Sequence, residues 1–353
     1  MPRPISVHFD LYALTHNLQL ARRRTRARIM AVIKADGYGH GLLRVAQALD
    51  DTDGFALLDI EDAIRLRDAG FRQPILLLEG FFSPEDVPLL AAYRISTAIH
   101  SPWQLACLDA YPERGTLDVW LKVNTGMNRL GWRTEQVGWA VQQLRQHRAV
   151  ASITLMNHFA HADEARGVAE QLARFNQLAA PYHLPRSLAN SAALLRHPSS
   201  HADWVRAGVM LYGASPFADS SAEQLGLQPV MTLRSRIIAL QTLAPGDEVG
   251  YGAIFRAERP MRIGVVACGY ADGYPRHAPN GTPILVAGQR SHTVGRVSMD
   301  MLCVDLSHIP DADIGSPVVL WGQGMPIEEV ARAAGTISYE LMCGITKRVP
   351  VGS

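Results

Sequence analysis

From Ile29 to about Gly213, short apolar runs alternate with stretches of helical period. The runs IMAVIK, GFALLD, PILLLEG, ISTAIH, LDVWLKV, ITLMNHF, SLANS and WVRAGVMLY read as strands. Several are apolar almost without interruption, the pattern of a strand covered on both faces. Between most of them lie LLRVAQAL, IEDAIRLRDAG and VGWAVQQLRQH, with apolar residues recurring at three and four. SPED at Ser83 and SPWQ at Ser101 predict two helix starts, each a hydroxyl cap followed by proline in the first turn. Strand-helix units running in one direction, about eight by this reading, predict a closed parallel (β/α)8 TIM-like barrel over residues 11–229. An open doubly wound sheet is the alternative; no GxGxxG follows a predicted strand to support it.

After Pro229 the pattern changes. MTLRSRIIALQTL, RIGVVACGY, TPILVAG, HTVGRVSMDMLCVDL and SPVVLWG are separated by Gly, Pro and Asp turns rather than by long helices. Residues 230–353 therefore read as a mainly antiparallel β domain, with short helices at IEEVARAAG and SYELMCG. The strand-like PISVHFD, within residues 1–10, is a candidate to join it.

Composition narrows the function class. With 353 residues, 48% of them hydrophobic, and a formal net charge of +1, the chain has no electrostatic bias toward nucleic acid or an acidic membrane surface. Arg22, Arg23, Arg24, Arg26 and Arg28 cluster without interleaved aromatics and read as a solvated helix face. The N-terminal stretch lacks the apolar core of a signal peptide, and no run reaches the ~18 apolar residues of a membrane span. Cys107, Cys268, Cys303 and Cys343 are scattered without CxxC spacing, as expected of reduced thiols in a cytoplasmic protein.

One stretch carries candidate chemistry. In AVIKADGYGHG, Lys34 closes an apolar strand and enters a turn of glycines and a tyrosine. In a barrel, chemistry sits where strands end. A lysine at that place is either a snorkelling side chain or a Schiff-base lysine activated by partial desolvation. Gly37, Gly39 and Gly41 let the backbone approach a ligand, and Tyr38 offers a hydroxyl beside it.

KADGYGHG closely resembles the motif by which alanine racemases hold pyridoxal 5′-phosphate. The resemblance continues in the family's order through KVNTGMNRLG, MNHFAHAD, ANSAA, VRAGVMLYG, VGYGAIF, GYADGYPRHAP and GRVSMDM. With YELMCG near the end, the pattern looks more like the catabolic branch than the biosynthetic one. The resemblance implies a barrel followed by a β domain, paired head to tail as a homodimer. It also implies a small amino-acid substrate, alanine, racemised by two bases. A broader amino-acid racemase and a barrel-fold decarboxylase are the neighbouring alternatives, and a non-catalytic cofactor binder is a third.

Roles follow from the same likeness, residue by residue. Lys34 matches the cofactor lysine and first base; Tyr251 matches the second base, supplied by the partner subunit. Arg206 matches the arginine facing the pyridine nitrogen, where a permanently charged guanidinium donates a hydrogen bond without protonating the ring. His158 matches its buttress. With His161 and Asp163, His158 admits a metal-site reading; the family match names none. Tyr38, Ser191 and the amides of Gly208 and Val209 match the phosphate cradle. Arg129 matches the contact to the cofactor's phenolic oxygen and the substrate carboxylate, and Lys122 a lysine carbamylated in many members. Unmodified, Lys122 and Arg129 would repel each other. Met299 and Asp300 match the substrate end; Asp163, Tyr270, Arg276 and Arg296 match the access corridor. Three departures stand out: Asn124 for aspartate, Ala207 for proline, and Lys347 where a phosphate-contacting tyrosine is expected.

Overall fold

The computed structural model describes residues 3–111 and 113–352. A first strand β1 (Ser6–Phe9) and helix α1 (Leu11–Arg24) precede β2 (Arg28–Val32). The chain then runs through the turn α2 (Lys34–Gly39), α3 (Leu42–Ala48), β3 (Gly54–Leu57), α4 (Ile60–Asp68), β4 (Ile75–Leu77), α5 (Asp86–Ala92), β5 (Ile95–Ile99) and α6 (Pro102–Asp109). It continues with β6 (Leu117–Asn124), the two-residue β7 (Trp132–Arg133), α7 (Thr134–Gln146), β8 (Val150–Met156), α8 (Ala169–Ala179), β9 (Arg186–Ser187), α9 (Ser191–Arg196) and β10 (Trp204–Ala207). All the pairings among these strands are parallel, and the ring closes through β10 on β2 and β5 on β6. Leaving out β7, which hangs on β6, this is a closed eight-stranded parallel barrel. One face of each strand lines the barrel interior and the other is covered by the outer helices, which is why β2, β3 and β5 are almost wholly buried.

Two of the helix starts differ in detail from the sequence expectation. Helix α5 begins at Asp86 rather than after Ser83, because the Asp86 carboxylate accepts from the amides of Phe82 and Ser83, both at 3.1 Å. The Ser83 hydroxyl still accepts from the amide of Glu85, at 3.4 Å. Ser101 does precede α6 with Pro102 at its first position, yet its hydroxyl is buried without a partner, and Gln104 instead accepts from the amide of His100 at 2.9 Å.

The second unit contains β11 (Met231–Leu243), β12 (Glu248–Val249), β13 (Phe255–Arg256), β14 (Met261–Val266), β15 (Pro283–Val286), β16 (Gln289–Val294), β17 (Leu302–Asp305) and β18 (Pro317–Trp321), then α10 (Ile327–Ala333) and α11 (Ser338–Cys343). Apart from the β12–β13 pair, these strands form an antiparallel ring, in which the long β11 shifts register at Ile237/Ala239 and so pairs with β18 on one stretch and β14 on the other. Strand β1 adds to it, antiparallel to β11 in the register Ser6↔Arg234 to Phe9↔Met231. HTVGRVSMDMLCVDL, read from its apolar alternation as one run, is split: GRVSMDM leaves the sheet as a loop between β16 and β17. Among the described residues no helix is long and apolar enough to cross a membrane.

Candidate active site

At the C-terminal ends of the barrel strands lies a cavity whose wall includes Lys34, Tyr38, Lys122, Arg129, His158, Ser191, Arg206, Gly208 and Val209. Nine residues singled out in the sequence thus meet in one place. They arrive from loops and strand ends separated by as many as 175 positions, and the barrel brings them together.

Lys34 follows the end of β2 by two residues, and the chain then turns the unusual way. Ala35, Asp36, Gly37 and Tyr38 all have φ between 52 and 62°, a left-handed turn. For non-glycine residues each such conformation costs about 1–2 kcal/mol and persists only if the surroundings hold it. Here they do. Asp36 accepts from Leu42 N at 2.7 Å through its carboxylate and from Gly41 N at 2.8 Å through its carbonyl. The ring of His40 donates through Nδ1 to Tyr38 O at 2.8 Å. Burial drops the His40 pKa to about 4, so the ring stays neutral, wedged between Phe9 and Tyr212. Tyr38 is thereby aimed at Gly208, where an added Cβ would stand 2.9 Å from its hydroxyl.

Arg206, near the end of β10, is 3% exposed. Nη1 donates to Ser187 O at 3.0 Å and Ser187 Oγ at 2.7 Å; Nη2 donates to Asn157 O at 2.6 Å and to His158 Nδ1 at 3.4 Å. Both terminal nitrogens are committed to the protein, and among the described residues no acceptor engages Nε. Burial lowers its pKa to about 10, so it remains a cation at neutral pH. His158 is brought to about 3 by burial and then by Arg206, which makes it a neutral acceptor. Ala207, the proline departure, continues β10 in register with Ala31, so the sheet fixes the backbone beside Arg206.

Lys122 is 6% exposed and donates to Leu78 O at 3.2 Å. Burial, then Arg206 and Arg129, lower its pKa to about 8. Asn124 faces its own loop: its carbonyl oxygen accepts from Gly126 N at 3.0 Å and Asn128 N at 3.1 Å, shaping the turn that delivers Arg129. The Ser191 hydroxyl accepts from Gly208 N at 2.9 Å. Against four basic side chains the cavity wall sets the single carboxylate of Glu79. Such a donor set fits an anionic ligand bearing a phosphate, a phenolate or a carboxylate.

The remaining sequence candidates lie elsewhere in the chain. Tyr251 projects from a short turn of the β domain and is 72% exposed. At the next residue, a Cβ on Gly252 would lie 3.9 Å from the guanidinium of Arg296. Met299 and Tyr270 are also exposed, on loops joined by bonds from Tyr270 N to Ser298 O and from Ala271 N to Met299 O, both 3.0 Å. Arg276 and Asp163 are exposed, Asp163 in a second cavity that shares Asn190 and Tyr339 with the first. Asp300 is held by Arg348. Lys347 does not line the cavity, but a tyrosine does: Tyr339, in the first turn of α11, its ring centroid 5.8 Å from that of Tyr38. An aromatic hydroxyl thus stands on the cavity wall eight residues before Lys347; its sequence signal is the tyrosine of YELMCG. Among the described residues no group of three or more His, Cys, Asp or Glu is placed to hold a metal.

Residues 9–216 match the family model "Alanine racemase, N-terminal domain", and 230–352 match "Alanine racemase, C-terminal domain". An alanine racemase of Nitrosospira multiformis is 59% identical over 353 residues, covering 99% of both chains. A catabolic alanine racemase of Klebsiella aerogenes is 53% identical, also over 99% of both. The crystal structure of a biosynthetic alanine racemase from Pseudomonas aeruginosa superposes with a TM-score of 0.96 at 47% identity, covering 99% of each chain.

Proposed function

The chain belongs to the alanine racemase family, and from that premise we propose that it interconverts L- and D-alanine in the cytoplasm as a pyridoxal-phosphate-dependent homodimer. The observation that carries this reading is the single cavity gathering Lys34 with Tyr38, Arg129, Ser191 and Arg206. Four free cysteines fit a reducing compartment.

Pyridoxal 5′-phosphate, when bound, supplies an electron sink that acidifies the α C–H bond of the amino acid. Lys34 would hold it covalently; Tyr38, Tyr339, Ser191 and the amides of Gly208 and Val209 would take its phosphate. The free Nε–H of Arg206 would face the ring nitrogen. With both η nitrogens anchored and His158 unable to charge near neutrality, this guanidinium donates a hydrogen bond but yields no proton, which keeps the sink weak and favours return of the proton to carbon.

Inversion needs a proton taken on one face and given on the other. Lys34 Nζ serves one face. Tyr251 serves the other from a second copy of the chain, since its phenol stands exposed on the β domain rather than in its own cavity wall. Arg129 would bind the substrate carboxylate. Lys122, with part of its population uncharged near pH 8, would add carbon dioxide at Nζ and release a proton, turning a repelling cation into an anion that orients Arg129.

The test is direct. Purified protein supplied with the cofactor should racemise alanine and exchange its α-proton for solvent deuterium, and Lys34→Ala should abolish both. Release of carbon dioxide from labelled alanine without inversion would replace this reading with decarboxylation.

A further inference from the structure

Both ends of the chain converge on one fully buried carboxylate. Asp272 accepts from Arg3 Nη1 at 2.8 Å and Nη2 at 3.0 Å and from the amide of Gly269 at 2.9 Å, and it forms an ion pair with Arg348 Nε at 2.9 Å. It is 0% exposed. The same two arginines reach onward to the next loop: Arg3 Nη2 donates to Asp300 O at 2.8 Å and Arg348 Nη2 to the Asp300 carboxylate at 2.5 Å. A surface ion pair would be worth little, but a buried carboxylate meeting two guanidinium groups and an amide is charge-assisted at every contact. Removing one partner from such a set exposes the cost of the charge left behind.

Packing around the carboxylate is as close as the bonding. A Cβ at Gly273 would lie 2.3 Å from Gly344 O, and one at Gly269 would lie 2.4 Å from both Ser298 O and Met299 O. Thr346 Oγ1 donates to Ala271 O at 2.8 Å. The carboxy-terminal segment also runs from the cavity: Tyr339 lines it, and a Cβ at Gly39 would lie 2.4 Å from Met342 O. One continuous stretch, 339–348, therefore spans from the Lys34 turn to the loop of Met299 and Asp300.

We propose that Asp272 and Arg348 are positioning residues for loop 298–301, which lies outside the wall of its own chain's cavity, setting where Met299 and Asp300 stand when they meet substrate in the cavity of a second copy. The inference rests on the racemase reading for the meaning of that loop. Its physical content is that Arg348 bridges two carboxylates, Asp272 through Nε and Asp300 through Nη2, so the planar fork fixes their separation. Lysine, a point charge, would hold either carboxylate but not their spacing. The consequence falls on substrate binding rather than on the chemical step.

Arg348→Gln is the variant to make, because the side chain is partly exposed and the fold should tolerate the change. The expected result is KM for alanine raised about tenfold with kcat within about twofold. The inhibition constant of propionate, a carboxylate without an amino group, should rise in parallel. Bound cofactor should stay at the wild-type level, and Arg348→Lys should restore less than half of the loss. Unchanged KM and propionate affinity with only a lower melting temperature would assign Arg348 a purely structural role and overturn the proposal. Should Arg348→Gln misfold, Asp300→Asn, which keeps shape and loses one charge-assisted contact, must show the same KM-selective loss; a wild-type KM there would also overturn it. A wild-type enzyme that does not racemise alanine would sink the functional reading instead, which keeps the two failures apart.

Discussion

Tyr38 stacks on Tyr212 with ring centroids 4.5 Å apart, and the Tyr212 hydroxyl donates to Val32 O at 3.0 Å. The left-handed turn after Lys34 is thus pinned to the end of β2 by a ring that cannot swing. Burial holds the Tyr38 phenol well above its usual pKa, so it acts as a neutral donor.

From this follows the effect of Gly208→Ala. The new methyl would approach the Tyr38 hydroxyl to 2.9 Å, and the stack on Tyr212 leaves the phenol little room to retreat. Cofactor titration should show affinity lowered at least about tenfold, while the melting temperature changes little. Wild-type affinity would mean that Gly208 is not at the ligand.

Asp36→Ala removes the carboxylate that accepts from Leu42 N and places alanine at φ 52°. Loss of this cap-like contact is worth about 1 kcal/mol. Denaturant unfolding should register that loss together with weaker cofactor binding, because the turn carrying Lys34 and Tyr38 loosens.

Two buried histidines make the fold acid-sensitive. His40 at about 4 and His158 at about 3 stay neutral in the folded protein while their unfolded counterparts protonate near pH 6.5. The unfolded state therefore binds more protons below pH 6.5, so stability falls as pH drops from there toward 4 and is unaffected by these groups above about 7. The urea midpoint should decline between pH 7 and pH 5, and His40→Asn should flatten that slope. A slope unchanged in the variant would exclude His40 as a source.

Lys122, lowered to about 8, should acquire a carbamate when the protein is equilibrated with ¹³C-bicarbonate. A carbon resonance absent from Lys122→Arg would identify it. The signal should weaken as pH falls below the lysine's pKa, because only the neutral amine adds carbon dioxide.

Much of the architecture was legible because covered strands and helical faces leave different apolar periods, and because Lys34 ends such a strand. The conformation that aims Tyr38 was not. Ala35, Asp36 and Tyr38 carry no local sign of positive φ; it is held by His40 just downstream and by Tyr212 and Gly208, distant in sequence. Alternation likewise continues through GRVSMDM although the chain leaves the sheet, since departure depends on the turn at 269–273 that receives it. Tyr339 escaped notice for a related reason: its place beside Tyr38 depends on how α11 docks against the Lys34 turn, which no spacing within YELMCG records.

The proposed inversion requires each cavity to be completed by a phenol from another copy of the chain. Lys34→Ala and Tyr251→Phe proteins should each be inactive alone, and mixing them under conditions of subunit exchange should restore up to about a quarter of wild-type activity, because half the dimers then hold one intact site of two. Exchange demonstrated by native mass spectrometry without any recovery of activity would contradict a site shared between subunits.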